Sequence, residues 1–254
     1  MEVLNLLNHL MQKEFMNKKK VICIIPARGG SKGIKLKNLQ HLGGKPLIYY
    51  PIKTAIDSKV CDKVIVSTDN SEIAKISKKF GAQVPFLREK KYSGDFVTTE
   101  ETLKQALLQA EDFFSTKYDI CVFLTCTNPF RKVSWVKEAV QVLQKNEKVD
   151  SAFSVHHLYK HFWHYKKKKP FKVLPWMKEY TSRQIAPILY REDTGLACAT
   201  RAKFWRKGKR IGKRVHFIVN QDSVTGIDIH NDLDLFMANQ VLKYSKKKKI
   251  KLFK

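Results

Sequence analysis

Apolar residues along this chain fall into short runs that alternate with longer amphipathic stretches. The short runs have the length and composition of buried strands, and they lie at 21–25, 63–67, 83–87, 119–124, 150–155, 196–200 and 215–219. The stretches between and after them predict helices at about 46–58, 71–80, 99–114, 133–145 and 231–244. Alternating strands and helices predict an α/β fold with a mainly parallel sheet flanked by helices.

The alternating pattern predicts one large domain in the 254-residue chain, with short segments before, within and after it. Residues 16–245 are expected to form a single α/β domain, long enough to bury a substantial core. Residues 1–15 are interpreted as a disordered extension ahead of a second start at Met16, and 246–254 as a basic tail that frays from Lys246. The alternation stops at about 156–190, where aromatic, His and Lys residues predict an inserted arm.

The first strand runs into a loop suited to anionic groups. Val21–Ile25 is apolar throughout, and the loop after it has three glycines, one serine and the cations Arg28, Lys32 and Lys37. Such a loop brings backbone N–H groups and positive charge close to a polyphosphate. Its spacing matches neither G-x-x-x-x-G-K-[ST] nor G-x-G-x-x-G. The alternative is an ordinary strand-to-loop junction that carries Gly and Lys without a ligand.

Two other polar segments also follow predicted strands. Ser67-Thr68-Asp69 comes at the end of the second strand, and Thr125–Arg131 follows the run at 119–124. Ligands of parallel sheets bind outside the carboxyl ends of the strands. We therefore expect these two segments and the Arg28 loop to meet at one edge of the sheet.

The chain is strongly basic, with 49 Lys and Arg against 23 Asp and Glu and a formal net charge of +26. The excess is mostly Lys and is spread over the whole length, so we interpret it as a solvated surface that also attracts acidic substrates. A nucleic-acid-binding protein on an enzyme fold is the alternative from a different class. It is disfavoured because the sequence has no recognisable nucleic-acid motif.

The five cysteines are scattered and form no C-x-x-C pair. This pattern argues against a disulfide scaffold or a zinc site and fits a reducing compartment. No apolar run approaches the roughly 20 residues that a membrane span requires. We therefore expect a cytoplasmic protein.

The first loop and several later segments together resemble the acylneuraminate cytidylyltransferases, also called CMP-sialic acid or CMP-nonulosonic acid synthetases. The resemblance covers about Val21 to Leu242, and its most specific part is Ile25–Gly33 with Lys37-Asn38. Further matching segments follow in the same order: Val66–Asn70, Thr127–Arg131, Arg183-Gln184, Tyr190-Arg191, Gly195, Gln221-Asp222-Ser223 and Ile227–Ile229. The resemblance implies a Rossmann-like sheet of the nucleotide-diphospho-sugar transferase type, with the arm used for dimerisation.

Members of this family transfer CMP from CTP to the anomeric hydroxyl of a sialic-acid-like nonulosonic acid and release pyrophosphate. The resemblance implies the same Mg²⁺-dependent reaction here, in lipopolysaccharide or capsule biosynthesis. The acid stays open among sialic, legionaminic and pseudaminic acids and their relatives. The alternative within enzymes is a nucleotidyltransferase for another acidic sugar, such as an 8-carbon ulosonic acid, or one that uses another nucleotide.

The resemblance also assigns roles to individual residues at the nucleotide end. It implies that the catalytic residues are Arg28, Lys37 and Asp228. It implies that the nucleotide contacts are Arg28, Ser31, Lys37, Asn38, Arg88 and Thr99. Lys32 is a weaker phosphate candidate, and Asp95 is near these positions but is also placed to cap the helix that follows.

The family holds its metal with Asp-x-Asp, whereas this chain has Asp228-Ile229-His230. Asp228 keeps the metal role, but histidine is a poor ligand for hard Mg²⁺. His230 therefore stays open among a metal ligand, a hydrogen bond to metal-bound water, an action on the sugar hydroxyl and a structural place before a helix. Asp232 or Asp234 could supply a replacement carboxylate, although the first turn of a helix favours acidic residues anyway.

A nonulosonic acid carries a carboxylate, which pairs with guanidinium or ammonium groups. The resemblance places four residues at the sugar site: Lys160, Arg183, Gln184 and Arg191. In the family the arm packs onto a second subunit and some sugar contacts cross that interface, so a homodimer is expected. The aromatic residues of the arm fit such an interface or a local mini-core: Phe162, Trp163, Phe171 and Trp176.

Overall fold

We describe residues 19–174, 182, 184–250 and 252 of a computed structural model of the chain. The predicted extension 1–15, the sugar-site candidate Arg183 and the arm residue Trp176 lie outside the described residues.

Strands and helices alternate along the chain, with three short 3₁₀ turns at Lys37–Leu39, Lys90–Tyr92 and Ser223–Gly226. The strands are β1 (Val21–Pro26), β2 (His41–Leu42), β3 (Lys45–Pro46), β4 (Lys63–Ser67), β5 (Ile120–Phe123), β6 (Ser151–Leu158), β7 (Trp163–Lys166), β8 (Lys169–Lys172), β9 (Leu189–Glu192), β10 (Cys198–Arg201) and β11 (Val215–Asn220). The helices are α1 (Tyr49–Ser58), α2 (Ser71–Lys79), α3 (Thr99–Phe113), α4 (Val133–Lys145), α5 (Ala202–Arg206) and α6 (Asp232–Lys247).

A seven-stranded sheet in the order β11-β6-β10-β5-β1-β4 forms the centre of the described structure, with β9 paired to β6. β1 is parallel to both of its neighbours, β4 and β5. β10 is antiparallel to β5 and β6, and β11 is again parallel to β6. Five of the seven strands therefore point the same way, which confirms the prediction of a mainly parallel sheet.

Helices cover both faces of this sheet. Val21, Cys23 and Ile25 of β1 pack in a hydrophobic cluster that includes residues of α1, α2, α4 and α6. Ile22 and Ile24 point to the opposite face and pack with residues of α3 and α5. A central strand covered on both faces is apolar at every position, and this is why β1 reads as an uninterrupted apolar run.

Side-chain caps set where the helices begin. Asn70 caps α2, and Asn231 forms a reciprocal capping box with Asp234 at the start of α6. Thr98 caps α3 by accepting a hydrogen bond from the third residue of the helix. The alternative that Asp95 caps this helix is therefore wrong.

No helix within the described ranges is long and apolar enough to cross a membrane.

Two sequence predictions need correction. The predicted strand 83–87 is only a single bridge from Gln83 to Ile65, because the chain then turns and the Arg88 N–H donates to the Thr68 carbonyl, 2.7 Å away. α6 continues to Lys247, so the prediction that the chain frays from Lys246 is wrong for those two lysines. Lysine is a good helix former and is favoured near a helix C-terminus, which explains the longer helix.

The described part of the arm consists of the β7–β8 hairpin and β9, neither of which was predicted. Lys167 and Lys168 form the turn of the hairpin with φ of 48° and 61°. All four residues of β7 are exposed, while β9 extends the main sheet by pairing with the end of β6. The hairpin therefore projects as an exposed two-stranded ribbon.

Candidate active site

The segments that follow β1, β4 and β5 meet at one edge of the sheet. The Ala27 N–H donates to the Ser67 carbonyl at 2.9 Å, and the Gly29 N–H donates to Asp69 Oδ1 at 2.8 Å. The Thr127 carbonyl after β5 accepts a hydrogen bond from the Ile229 N–H at 2.8 Å. The expected meeting of the three strand ends is confirmed, and the segment around Asp228 joins them.

Asn38 fixes the course of the glycine-rich loop. Its side chain is buried, with 6% of the residue exposed, and its Nδ2 donates to the Arg28 carbonyl at 2.9 Å. Ser31 closes the tip of the loop, where its N–H donates to the Gly29 carbonyl at 3.1 Å. Asn38 therefore supports the course of the loop from inside the protein.

The loop packs directly against the segment that contains Asp228. Lys37 Nζ donates to the Ile229 carbonyl at 3.0 Å. A Cβ added to Gly33 would lie 2.2 Å from the His230 carbonyl oxygen, so only glycine permits this approach. Burial lowers the pKa of Lys37, while the negative charge of Asp228 opposes the shift. The cationic loop and the Asp228 carboxylate therefore share one cleft.

Asp95 forms ion pairs with two cations of the loop, Arg28 and Lys32. Its carboxylate lies 2.9 Å from Arg28 and 2.9 Å from Lys32. The hydrogen bond from Lys32, supported by the charge of Arg28, lowers the pKa of Asp95. Nothing in the local sequence indicates this contact, because Asp95 is more than 60 residues from Arg28 and Lys32 and belongs to an irregular segment.

A cavity of about 290 Å³ opens beside the loop. Arg28, Arg88 and Thr99, three of the six predicted nucleotide contacts, line it together with Tyr92 and Asp95. Its volume is close to the lower end of small-molecule sites, which span about 300–1,000 Å³. The cavity has room for part of a nucleotide rather than the whole molecule.

Arg88 forms a buried wall of this cavity, with 7% of the residue exposed. Its Nε donates to Ser67 Oγ at 3.1 Å, and its guanidinium also binds the Ser67 carbonyl. Burial lowers the pKa of Arg88 to about 10, which still leaves it protonated at neutral pH. Two of its nitrogens bind Ser67 at the end of β4. Arg88 therefore shapes the cavity as well as lining it.

Arg131 is a supporting residue to which sequence reasoning gave no role beyond a matching motif. Its guanidinium is fully buried and donates to the Gly195 carbonyl at 2.9 Å and to the Thr125 carbonyl. A Cβ on Gly195 would lie 2.2 Å from Asn128 Oδ1. Arg131 and Gly195 thus hold the segment after β5 in place.

Asp228 and His230 form a carboxylate–imidazole pair at the edge of the cleft. His230 Nε2 lies 3.0 Å from Asp228 Oδ2, while Asp228 Oδ1 is buried and has no hydrogen-bond partner. A buried carboxylate oxygen without a donor is suited to a cation. Within the described ranges, no group of three or more His, Cys, Asp or Glu residues could hold a metal by itself. A metal here would need oxygens from a ligand as well.

The predicted sugar-site residues fall into two groups. Arg191 forms a two-point ion pair with Asp193, at 2.8 and 3.0 Å, and its guanidinium lies beside Gly226, close enough to Asp228 for a charge interaction. Lys160 and Gln184 are exposed and make no hydrogen bond or ion pair with any other described residue. Of the three members of this set that the structure describes, only Arg191 is brought to the cleft.

Comparison with known proteins supports a common origin with cytidylyltransferases. A model of the cytidylyltransferase family matches residues 22–251. The post-translational flagellin modification protein B of Campylobacter coli is 27% identical over 224 residues, which are 88% of this chain and 95% of that protein. The pseudaminic acid cytidylyltransferase of Campylobacter jejuni is 38% identical over 130 residues, 50% of this chain and 55% of that protein.

Another relative matches over most of this chain but only part of its own. The N-acylneuraminate cytidylyltransferase of Escherichia coli is 28% identical over 244 residues, which cover 92% of this chain and 55% of that enzyme. A solved CMP-2-keto-3-deoxy-manno-octonic acid synthetase complexed with CTP aligns with a TM-score of 0.66, 15% identity and coverage of 89% of this chain and 99% of that chain. The latter likeness establishes the fold, and the family model matches nearly the whole chain, so the protein belongs to the cytidylyltransferase family.

Proposed function

We propose that this enzyme transfers CMP from CTP to the anomeric hydroxyl of a sialic-acid-like nonulosonic acid and releases pyrophosphate. One observation carries the proposal: the cationic glycine-rich loop packs on the Asp228 segment, with Lys37 bound to the Ile229 carbonyl and Gly33 against His230. The names of the relatives, which include pseudaminic acid and N-acylneuraminate cytidylyltransferases, support the choice of acid.

The loop supplies the positive charge that this reaction needs. When a hydroxyl attacks the α-phosphorus of CTP, negative charge grows on the phosphate oxygens and on the departing pyrophosphate. Arg28 and Lys37 stabilise that charge, and the backbone of the loop binds the triphosphate. Lys37 is partly desolvated, so its attraction for a phosphate oxygen is stronger than that of a lysine in water.

A divalent cation, expected to be Mg²⁺, accompanies CTP in this proposal. The buried, unpartnered Oδ1 of Asp228 fits this role, and triphosphate oxygens would supply the ligands that the protein lacks. When bound, the ion would supply positive charge that offsets the negative charge of the phosphate oxygens. Asp228 would hold it next to the loop.

Arg191 is the proposed partner of the sugar carboxylate. Asp193 holds two of its guanidinium nitrogens, which fixes the plane of the group and leaves other N–H donors for a ligand. Since Arg191 lies beside Gly226, a sugar bound to it would be near the Asp228 segment. Lys160, Arg183 and Gln184 remain proposed sugar contacts on the arm.

The β7–β8 hairpin is the proposed dimer contact. Phe162, Trp163, Tyr165 and Phe171 are 43–78% exposed on and beside it, and exposed aromatic clusters of this kind are typical of protein interfaces. A homodimer would cover these side chains and complete the sugar site. We place the enzyme in the cytoplasm, the compartment that supplies CTP.

Pyrophosphate release tests the proposed function. Purified protein is incubated with CTP and Mg²⁺ and with sialic, legionaminic or pseudaminic acid, or with an 8-carbon ulosonic acid as the comparison. We expect release with at least one nine-carbon acid and little with the 8-carbon acid. No release with any nine-carbon acid, or equal release when ATP or GTP replaces CTP, would contradict the proposal.

A further inference from the structure

The proposed cation site has one carboxylate and one imidazole, whereas a site of two carboxylates would offer oxygen donors alone. The side chains available to a cation are the Asp228 carboxylate and the His230 imidazole, which flank the fully buried Ile229. The backbone of this segment is fixed from two sides, by the Thr127 carbonyl and by Lys37 Nζ. Both side chains therefore extend from a backbone that is held beside the cationic loop.

The nearest alternative carboxylate is already engaged. Asp234 Oδ2 accepts hydrogen bonds from the backbone N–H groups of His230 at 2.8 Å and Asn231 at 3.0 Å. This contact belongs to the capping box of α6 and lowers the pKa of Asp234. Asp234 thus holds the backbone at His230 and is not free to replace the imidazole as a ligand.

The spacing of the two donors fits one ion. His230 Nε2 and Asp228 Oδ2 are 3.0 Å apart. Two adjacent ligands of an octahedral ion, each at about 2.1 Å, lie about 3.0 Å from each other. In the structure this is the distance of an ion pair between the two groups, and it is also the separation that two ligands of one ion would have. Phosphate oxygens and water would have to supply the remaining ligands.

We propose that His230 shifts the preference of this site from Mg²⁺ toward a divalent transition-metal ion such as Mn²⁺. This inference rests on the proposed function, since it concerns the cation that accompanies CTP. Mg²⁺ takes oxygen ligands almost exclusively, whereas an imidazole nitrogen is a good ligand for first-row transition ions. Replacing the second oxygen by nitrogen therefore weakens Mg²⁺ binding and strengthens binding of the transition ion.

Metal binding in the presence of CTP, without sugar, tests the inference independently of turnover. The free Mn²⁺ signal in electron paramagnetic resonance measures Mn²⁺ affinity, and displacement by Mg²⁺ gives the selectivity. The measurement is made at one pH for the wild type and both variants. The variants are His230→Asp, which creates two oxygen donors, and His41→Asp, a control on the exposed end of β2. Thermal unfolding verifies that both are folded.

Even substitutions of residues that only hold a metal ligand in place alter metal affinity by about 10–100-fold. We therefore expect His230→Asp to lower the ratio of Mn²⁺ to Mg²⁺ affinity by at least about tenfold, and His41→Asp to leave it unchanged. Pulsed resonance of the bound Mn²⁺ should show a nitrogen coupling that disappears in His230→Asp.

Two results would overturn the inference while leaving the proposed function intact. One is CTP binding with the same Mn²⁺ to Mg²⁺ ratio in wild type and His230→Asp. The other is bound Mn²⁺ without any nitrogen coupling in the wild type. A wild-type protein that binds no CTP with either ion would overturn the proposed function as well.

Discussion

Two regions are built in opposite ways: the nucleotide end, where the segments after β1, β4 and β5 meet, and the arm at about 156–190. At the nucleotide end, backbone and side-chain hydrogen bonds join β1, β4, β5 and the start of α6, and glycine permits a contact that a Cβ would block. The arm presents exposed strands and aromatic side chains. The chemistry of phosphoryl transfer needs fixed charges, so we place the proposed reaction at the nucleotide end.

The contrast also separates the two sides of the proposed substrate site. Arg191 lies next to the cleft and is oriented by Asp193, whereas Lys160 and Gln184 are exposed. A second subunit that covers the exposed side chains of the arm would fix their positions. Selection of the acid would then depend on assembly, while CTP binding would depend on a single chain.

The largest effect is expected from Asp228→Ala. Loss of the carboxylate that holds the cation should lower kcat by at least about 10³-fold, while the protein stays folded because Asp228 is 42% exposed and is joined through its side chain mainly to exposed His230. Pyrophosphate release and thermal unfolding measure the two effects. Asp232→Ala, an exposed carboxylate in the first turn of α6, is the control; equal losses in both variants would contradict the assignment.

Gly33→Ala should separate the loop from the Asp228 segment. Its new Cβ would meet the His230 carbonyl at 2.2 Å, whereas a Cβ on Gly30 would meet nothing within 4 Å. Displacements of about 1 Å can cost about 10²-fold in rate, so we expect kcat/KM to fall by about 10–100-fold. The melting temperature without CTP should drop in Gly33→Ala but not in Gly30→Ala. Equal melting temperatures of the two variants would show that the close contact is absent in solution.

Arg191→Ala should raise KM for the sugar by about tenfold with little effect on KM for CTP. A charge-assisted hydrogen bond contributes about 1.5–3 kcal/mol, and loss of one such bond explains this size. Lys160→Ala should change KM for the sugar by about twofold, because exposed charge pairs contribute at most about 1 kcal/mol. The reverse order of these two effects would place the acid on the arm instead of beside Gly226.

The smallest effect is expected from Asp95→Asn, and it is a gain. Asp95 competes with phosphate for Arg28 and Lys32, so neutralising it should lower KM for CTP by about two- to fivefold with kcat unchanged. Glu89→Gln, which breaks an exposed pair with Lys91, is the matched control. The gain should shrink at high salt, which screens exposed charges. A rise in KM would mean that Asp95 orders the loop for binding.

Much of the sheet was predictable because its central strands are buried on both faces. β1 and β5 read as apolar runs, and the glycines and cations after β1 follow from the need of a backbone to approach phosphate. The predicted strand 83–87 failed because Val84 and Phe86 are apolar without pairing into the sheet. Val84 packs in one hydrophobic cluster and Phe86 against the opposite one, whereas residues two apart in a strand point to the same face, so the segment has the composition of a strand without its geometry.

The parts that the sequence did not predict depend on contacts between distant residues. The β7–β8 turn uses two lysines with positive φ, where asparagine and glycine would have been the usual signal. The pairing of Asp95 with Arg28 joins two loops that are far apart in sequence. Arg131 donates a hydrogen bond to the carbonyl of Gly195, which lies in the turn between β9 and β10. Such residues have ordinary local sequence surroundings and acquire their roles only in the folded chain.

A crystal structure with CTP and Mn²⁺ bound tests the central claim most directly, because anomalous scattering locates the ion. The account predicts the triphosphate on the loop that contains Arg28 and Lys37, with the ion joining a phosphate oxygen to the Asp228 carboxylate. An ion held away from Asp228, or a triphosphate bound outside the cleft between this loop and residue 228, would contradict it.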